Sequence, residues 1–152
     1  MKRGLFFAVF AVLFFIVGCE KEEPVSWGYS QSVYVASDGN VIYIMNLGTS
    51  KIIRCYYYED DVFDYVRDEC YYDSAKTADW AYMDMQNRLI AAGEEDLIRG
   101  MGTDNNLLVI EYKREYFEKD EENNIVDKTA EELRAYIQEG IDKINTGNQA
   151  AD

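Results

Sequence analysis

Carboxylates and tyrosines are the residues of this chain that could do chemistry. Glu59, Asp60, Asp61, Asp64, Asp68 and Glu69 crowd one short stretch, flanked by Tyr56-Tyr57-Tyr58 and Tyr71-Tyr72. Carboxylates at such density can act as general acid and base, or can ligate calcium. Beside aromatic rings they can also take the hydroxyls of a sugar whose apolar face lies on the ring. The EF-hand spacing and its glycine are absent, so a solvated acidic face is the simpler reading. The chain has no histidine. That removes the commonest general base and the commonest metal ligand, and with them any Ser-His or Cys-His nucleophile. No catalytic residue, metal site or cofactor is expected; the residue types leave carboxylate, lysine or tyrosine chemistry open, with a carboxylate-based hydrolase as the enzymatic exception.

The candidate binding surface is therefore aromatic and acidic: Trp27, Tyr56, Tyr58, Asp60, Asp61 and Asp64, with Trp80 and Met83 from a helix. Tyrosine offers a large contact area with one polar end, although it is also a good strand residue. Alternation puts consecutive tyrosines of a strand on opposite faces, so only some can be exposed together.

These residues sit on a regular pattern. Gln31–Ala36 and Val41–Leu47 read as strands around Ser37-Asp38-Gly39-Asn40, the strongest hairpin signal in the chain. Lys51–Tyr58 is a third strand, with Ile53, Cys55 and Tyr57 on one face and Ile52, Arg54, Tyr56 and Tyr58 on the other. Glu59–Asp73 is ambiguous: Val62, Val66 and Cys70 recur four apart, as on a helix, while Cys70-Tyr71-Tyr72 suits a strand. Lys76–Ala92 is a helix, capped by Ser74 or Thr77 and closed by Gly93. Ala78, Tyr82, Met85, Leu89 and Ala92 form its core stripe. Trp80, Met83 and Ile90 fall off that stripe, either under a neighbouring loop or as a partner-binding patch.

Glu94–Gly100 adds a helical turn, followed by turns at Gly100-Met101-Gly102 and Asp104-Asn105-Asn106. Leu107–Phe117 alternates as a long strand with one buried face, and Asn124-Ile125-Val126 begins a short one. Thr129 and Glu132 form a capping box for Ala130–Asn145, whose stripe is Leu133, Ile137, Ile141 and Ile144, ending at Gly147. The fold class is α+β: an antiparallel sheet of four or five strands, packed on one face by two or three helices. Residues 27–147 make a single domain, with a frayed tail over 148–152.

Over 152 residues the formal net charge is −14. Such a chain repels phosphate backbones, so nucleic acid is not an expected partner. The apolar content of 48% supports a folded globule over a disordered chain.

The N-terminus supplies an address. Lys2 and Arg3 precede an apolar run from Leu5 to Val17, about 13 residues, the length of a secretory signal and short for a membrane span. The run Ile16-Val17-Gly18-Cys19 resembles the bacterial lipobox, with Ile16 in place of the commoner leucine. The resemblance implies a signal peptide over 1–18, cleavage before Cys19, diacylglyceryl transfer to its thiol and acylation of the new amine. It also implies a lipid bilayer as the first partner, with residues 19–26 as a lipidated tether. Cys19-Glu20-Lys21-Glu22-Glu23 resembles the surface-export tag of Bacteroidetes-type lipoproteins, which implies an outer-membrane protein facing outward rather than into the periplasm.

With Cys19 assigned to lipid, Cys55 and Cys70 remain. In an oxidising compartment they pair most simply, closing a loop of about 15 residues worth roughly 3 kcal/mol; two buried free thiols are the alternative. The function expected from all this is a non-catalytic, membrane-anchored interaction module for a protein or glycan, for instance an inhibitor or immunity protein with an acidic face. The alternative is a structural or accessory subunit of an outer-membrane envelope complex.

Overall fold

A computed structural model describes residues 26–119 and 124–149. The signal, Cys19 and residues 150–152 of the tail lie outside the described residues. The strands are β1 (Tyr29–Val35), β2 (Val41–Leu47), β3 (Lys51–Glu59), β4 (Val62–Tyr71), β5 (Ile98–Asp104) and β6 (Leu107–Lys113). The helices are α1 (Ala75–Ala92), a short α2 (Arg114–Glu118) and α3 (Ala130–Gln149). All strand pairs are antiparallel, in the order β1-β2-β3-β4-β6-β5. The fold is α+β as expected, with six strands rather than four or five.

Local chemistry explains most element boundaries. Gly39 turns the first hairpin at φ 84°, and Asp38 Oδ1 accepts the Asn40 N–H at 3.2 Å. Asn40 is buried, and its Oδ1 accepts the Tyr58 N–H at 2.9 Å, tying that hairpin to β3. Ser74, not Thr77, caps α1: its Oγ accepts the Thr77 N–H at 3.2 Å. Gly93 ends α1 at φ 68°, the left-handed geometry of a helix terminus. The capping box of α3 forms in both directions, Thr129 N–H to Glu132 Oε2 at 2.9 Å and Glu132 N–H to Thr129 Oγ1 at 3.3 Å.

Several expectations need correction. The ambiguous segment is a strand, β4, because two positions four apart also satisfy a period of two: Val66, Asp68 and Cys70 all point inward. The turn before it, at Asp60 and Asp61, runs at φ 49° and 62°, a left-handed conformation that Asp tolerates better than most residues. The stretch read as a Gly100-Met101-Gly102 turn is the edge strand β5, anchored by Ile98 and Met101 against the core. The long strand ends at Lys113, and Arg114 starts α2. No strand forms at 124–126, and α3 runs past Gly147 to Gln149. Ala92 and Ile144, placed on core stripes by spacing, are exposed.

The Cys55–Cys70 bridge is also corrected: both thiols are free. Cys55 pairs with Arg67 and Cys70 with Ile52 across the same two strands. The two are therefore offset by about 10 Å along the strands, beyond the ~7 Å Cα limit of a disulfide. They also sit on opposite faces of the sheet, since Arg54 separates the Ile52 row from the Cys55 row by parity.

One face of the sheet holds the core. Val41, Tyr56, Phe63, Val66, Cys70, Leu108, Ile110 and Tyr112 form it, closed from above by Leu133 of α3 and Val126. α1 lies against β5 and β6, and α3 against β1 and β2. Six strands span about 24 Å, while each helix is about 10 Å wide, so two helices leave a trough over β3 and β4. α2 plugs one end of it, where Phe117 meets Phe63 edge-on at 6.0 Å. No helix among the described residues is long and apolar enough to cross a membrane.

Candidate functional site

The other face of the sheet carries no helix among the described residues. Reading across the register, one row runs Tyr34, Ile42, Cys55, Arg67 and Glu111, and the next runs Ser32, Ile44, Ile53, Glu69 and Val109. None of these residues belongs to the core cluster or packs on it. Ile42, Ile44, Ile53 and Val109 are only half-buried, screened by strand neighbours rather than by a second layer. An antiparallel sheet open to water on one side normally shows polar residues there; β2 and β3 place isoleucines instead.

The charge distribution of this face differs from that of the chain. In β1, β2 and β3 it carries no acidic residue before Glu59, although the chain holds 29. In β4 and β6, Glu69 and Glu111 are both held by Arg67, at 3.1 and 2.9 Å. Tyr71 donates its hydroxyl to Glu69 at 3.0 Å. Asn46 donates to Ser30 Oγ at 2.8 Å, and its Oδ1 is buried with no donor among the described residues. The face is thus a neutral aliphatic patch bordered by a network in which one arginine holds two glutamates.

Aromatic residues close one side of the patch. Tyr57 and Tyr65 stack at 4.2 Å with rings 4° from parallel, and the Arg99 guanidinium lies 4.2 Å from the centre of the Tyr65 ring. Asp64 and Arg99 both occupy register shifts in their strands and meet at 3.6 Å. Burial, with Cys55 adding to it, pushes the Tyr57 hydroxyl well above its ordinary range. Burial likewise raises the Cys55 thiol. Neither group is activated for acid–base or nucleophilic work near neutral pH.

The structure disperses the residues singled out from sequence. Asp60 and Asp61 are exposed at the β3–β4 tip, and Asp64 is exposed at the β4 bulge. Tyr56 is buried in the core and Tyr58 points inward, edge-on to Phe63 at 5.9 Å with its hydroxyl donating to the Lys128 carbonyl. Neither tyrosine belongs to a surface, because even-numbered positions of β3 face the helices. Trp27 is half-buried where the chain enters the sheet, its N–H bonded to Gly48 O at 2.9 Å. Trp80 and Met83 are 70% and 51% exposed on the outer side of α1, so no loop among the described residues covers them. The isoleucine patch was missed. Its signal was present: Ile42, Ile44 and Ile53 sit at the positions that alternation assigns to the face without helices.

The covered side holds a second feature. In the trough, Arg54 Nε and Nη2 each donate to Asp68 at 2.7 Å, a bidentate pair. The Asp68 side chain is 5% exposed and that of Arg54 30%. Burial works against the Arg54 charge, but the hydrogen bonds and charge of Asp68 outweigh it and keep the guanidinium protonated. Burial raises the hydroxyls of Tyr56 and Tyr112, which flank the pair. No protein-family model, curated protein or solved structure matches the chain. Among the described residues no group of three His, Cys, Asp or Glu side chains gathers as a metal site.

Proposed function

We propose that this chain is a membrane-anchored exported interaction module that binds a partner protein through the helix-free face of its sheet. The observation that carries the reading is the isoleucine patch of Ile42, Ile44 and Ile53, covered by no helix among the described residues and with Glu69, held by Arg67, as the acidic residue beside it in a strongly acidic chain. Exposed contiguous apolar surface rimmed by polar groups is characteristic of interaction sites. The whole face measures about 24 Å by 24 Å, roughly 580 Å², below the ~800 Å² per partner of a standard interface and in the range of a smaller, transient one.

A protein fits this face better than a glycan. Sugar stacking needs free ring faces; those of Tyr65 are taken by Tyr57 and Arg99, and the exposed ring of Tyr34 stands at the β1 edge, away from the Tyr57–Tyr65 pair. A second copy fits poorly, since each copy brings a net charge of −14 or lower after signal removal. The partner this face suits presents an apolar, uncharged centre, with contacts that salt weakens little.

Anchoring follows from the lipobox. On this reading Cys19 carries the lipid on the outer membrane, facing outward. Residues 20–26 then span at most roughly 25–30 Å to Trp27, keeping the β2–β3 end of the sheet near the bilayer.

Ile44→Glu tests the reading by placing a carboxylate in the patch centre. Co-purification of the full chain from detergent-solubilised membranes should lose its partner about tenfold or more, with thermal unfolding unchanged. Trp80→Ala should retain it. Retention by Ile44→Glu, or loss only with Trp80→Ala, would overturn the assignment.

A further inference from the structure

The trough over the middle strands opens, beside α1, into a cleft of about 310 Å³ lined by both the sheet and the helix. Its floor is the Arg54–Asp68 pair and its walls are Ile52, Cys70, Leu108 and Met85. At the mouth, Arg88 pairs with Asp84 at 2.8 Å. A buried ion pair is commonly no more stabilising than apolar residues of the same volume, so core packing alone does not account for one here. A mostly apolar cleft with a few convergent polar groups, at the lower end of the usual 300–1,000 Å³ range, has the character of a small-molecule site.

We propose that this cleft binds a small uncharged amphiphile, with its apolar body along Ile52, Leu108 and Met85 and its polar group against Arg54. The charge state follows from the floor. Asp68 engages Arg54 through two parallel hydrogen bonds, so the pair presents no net charge to the cleft. An anion would compete with Asp68 and face the field of an acidic chain, while a cation would meet the guanidinium. Of the five guanidinium N–H groups, Asp68 takes two and the Tyr56 hydroxyl a third, which leaves N–H groups for a hydroxyl or carbonyl oxygen. The size follows from the volume: a cavity of about 150 Å³ admits benzene, so this one suits a molecule about twice as large.

The test uses octanol, octanoate and octylammonium as a matched series against the intact chain with methyl-labelled methionines. Octanol should shift the Met85 methyl resonance saturably and leave Met83, on the outer side of α1, unmoved. Octanoate and octylammonium should bind about tenfold weaker or worse. Ala81→Phe, which fills the cleft from α1, should abolish the octanol shift while the circular dichroism spectrum is unchanged. Should Ala81→Phe perturb the fold, leucine-methyl labelling of the parent chain reads the same cleft through Leu108, whose resonance octanol should shift saturably. Three results would overturn the proposal: no saturable shift by octanol, equal binding of either charged homologue, or undiminished binding by a folded Ala81→Phe protein.

Discussion

Replacing Asp68 with alanine strands Arg54 in the trough. Asp68 is 5% exposed and supplies both partners of the guanidinium fork. Removing one member of a buried pair typically costs 3–5 kcal/mol, most of it from the charge left behind. Because 30% of the Arg54 side chain still reaches solvent, the lower end applies, about 3 kcal/mol. With a urea m value of ~1–2 kcal/mol/M for a domain of this size, the midpoint should fall by about 1.5–3 M. The double variant Arg54→Met/Asp68→Leu removes both charges and keeps the volume, and should recover to within about 1 kcal/mol of the parent. Urea unfolding followed by tyrosine and tryptophan fluorescence measures both. A loss below about 1 kcal/mol for Asp68→Ala, or a double variant no more stable than the single one, would refute the picture of a buried, mutually dependent pair.

Other expectations follow from named contacts. Thr129→Ala removes the α3 capping box and should cost about 1 kcal/mol in the same assay. Under oxidising conditions the mass should show no loss of two hydrogens from a Cys55–Cys70 bridge; alkylation near neutral pH should reach half-exposed Cys55 before Cys70. Burial pushes the Cys70 thiol up to about 12, with Asp68 adding to it, and burial pushes Tyr58 up to about 12. The folded state therefore keeps protons that the unfolded chain releases near 9 and 10. Stability from these groups is full below about pH 9 and falls as pH rises towards 12. Cys70→Ala should flatten the first part of that fall.

The sequence made the periodic elements legible because their signals were local. The Asp38-Gly39 hairpin, the parity of β3, the Ser74 and Gly93 ends of α1 and the Thr129–Glu132 box each depend on residues within a few positions of one another. What depended on tertiary partners was hidden. The edge strand β5 is interrupted by Gly100 and Gly102 and pairs with β6 along its length. The β4 bulge at Asp64 disguised its alternation, and the Cys55–Cys70 offset could not be known without register. The candidate site was less legible still. Acidic density and tyrosine runs drew attention to Glu59–Asp64, whereas the unusual chemistry lies in isoleucines that look like ordinary strand residues. Their meaning depends on which face the helices cover, and that is decided by α1 and α3 packing on the same side.

The central claim, that the helix-free face is the binding surface, is tested most directly by site-specific photo-cross-linking in intact cells. A benzophenone side chain introduced at Ile44, at Ile53 or at Trp80 of the full chain reports what lies against each position. One discrete protein adduct, the same from Ile44 and Ile53 and absent from Trp80, is the expected result. Adducts from Trp80 alone, or none from either isoleucine position, would contradict it.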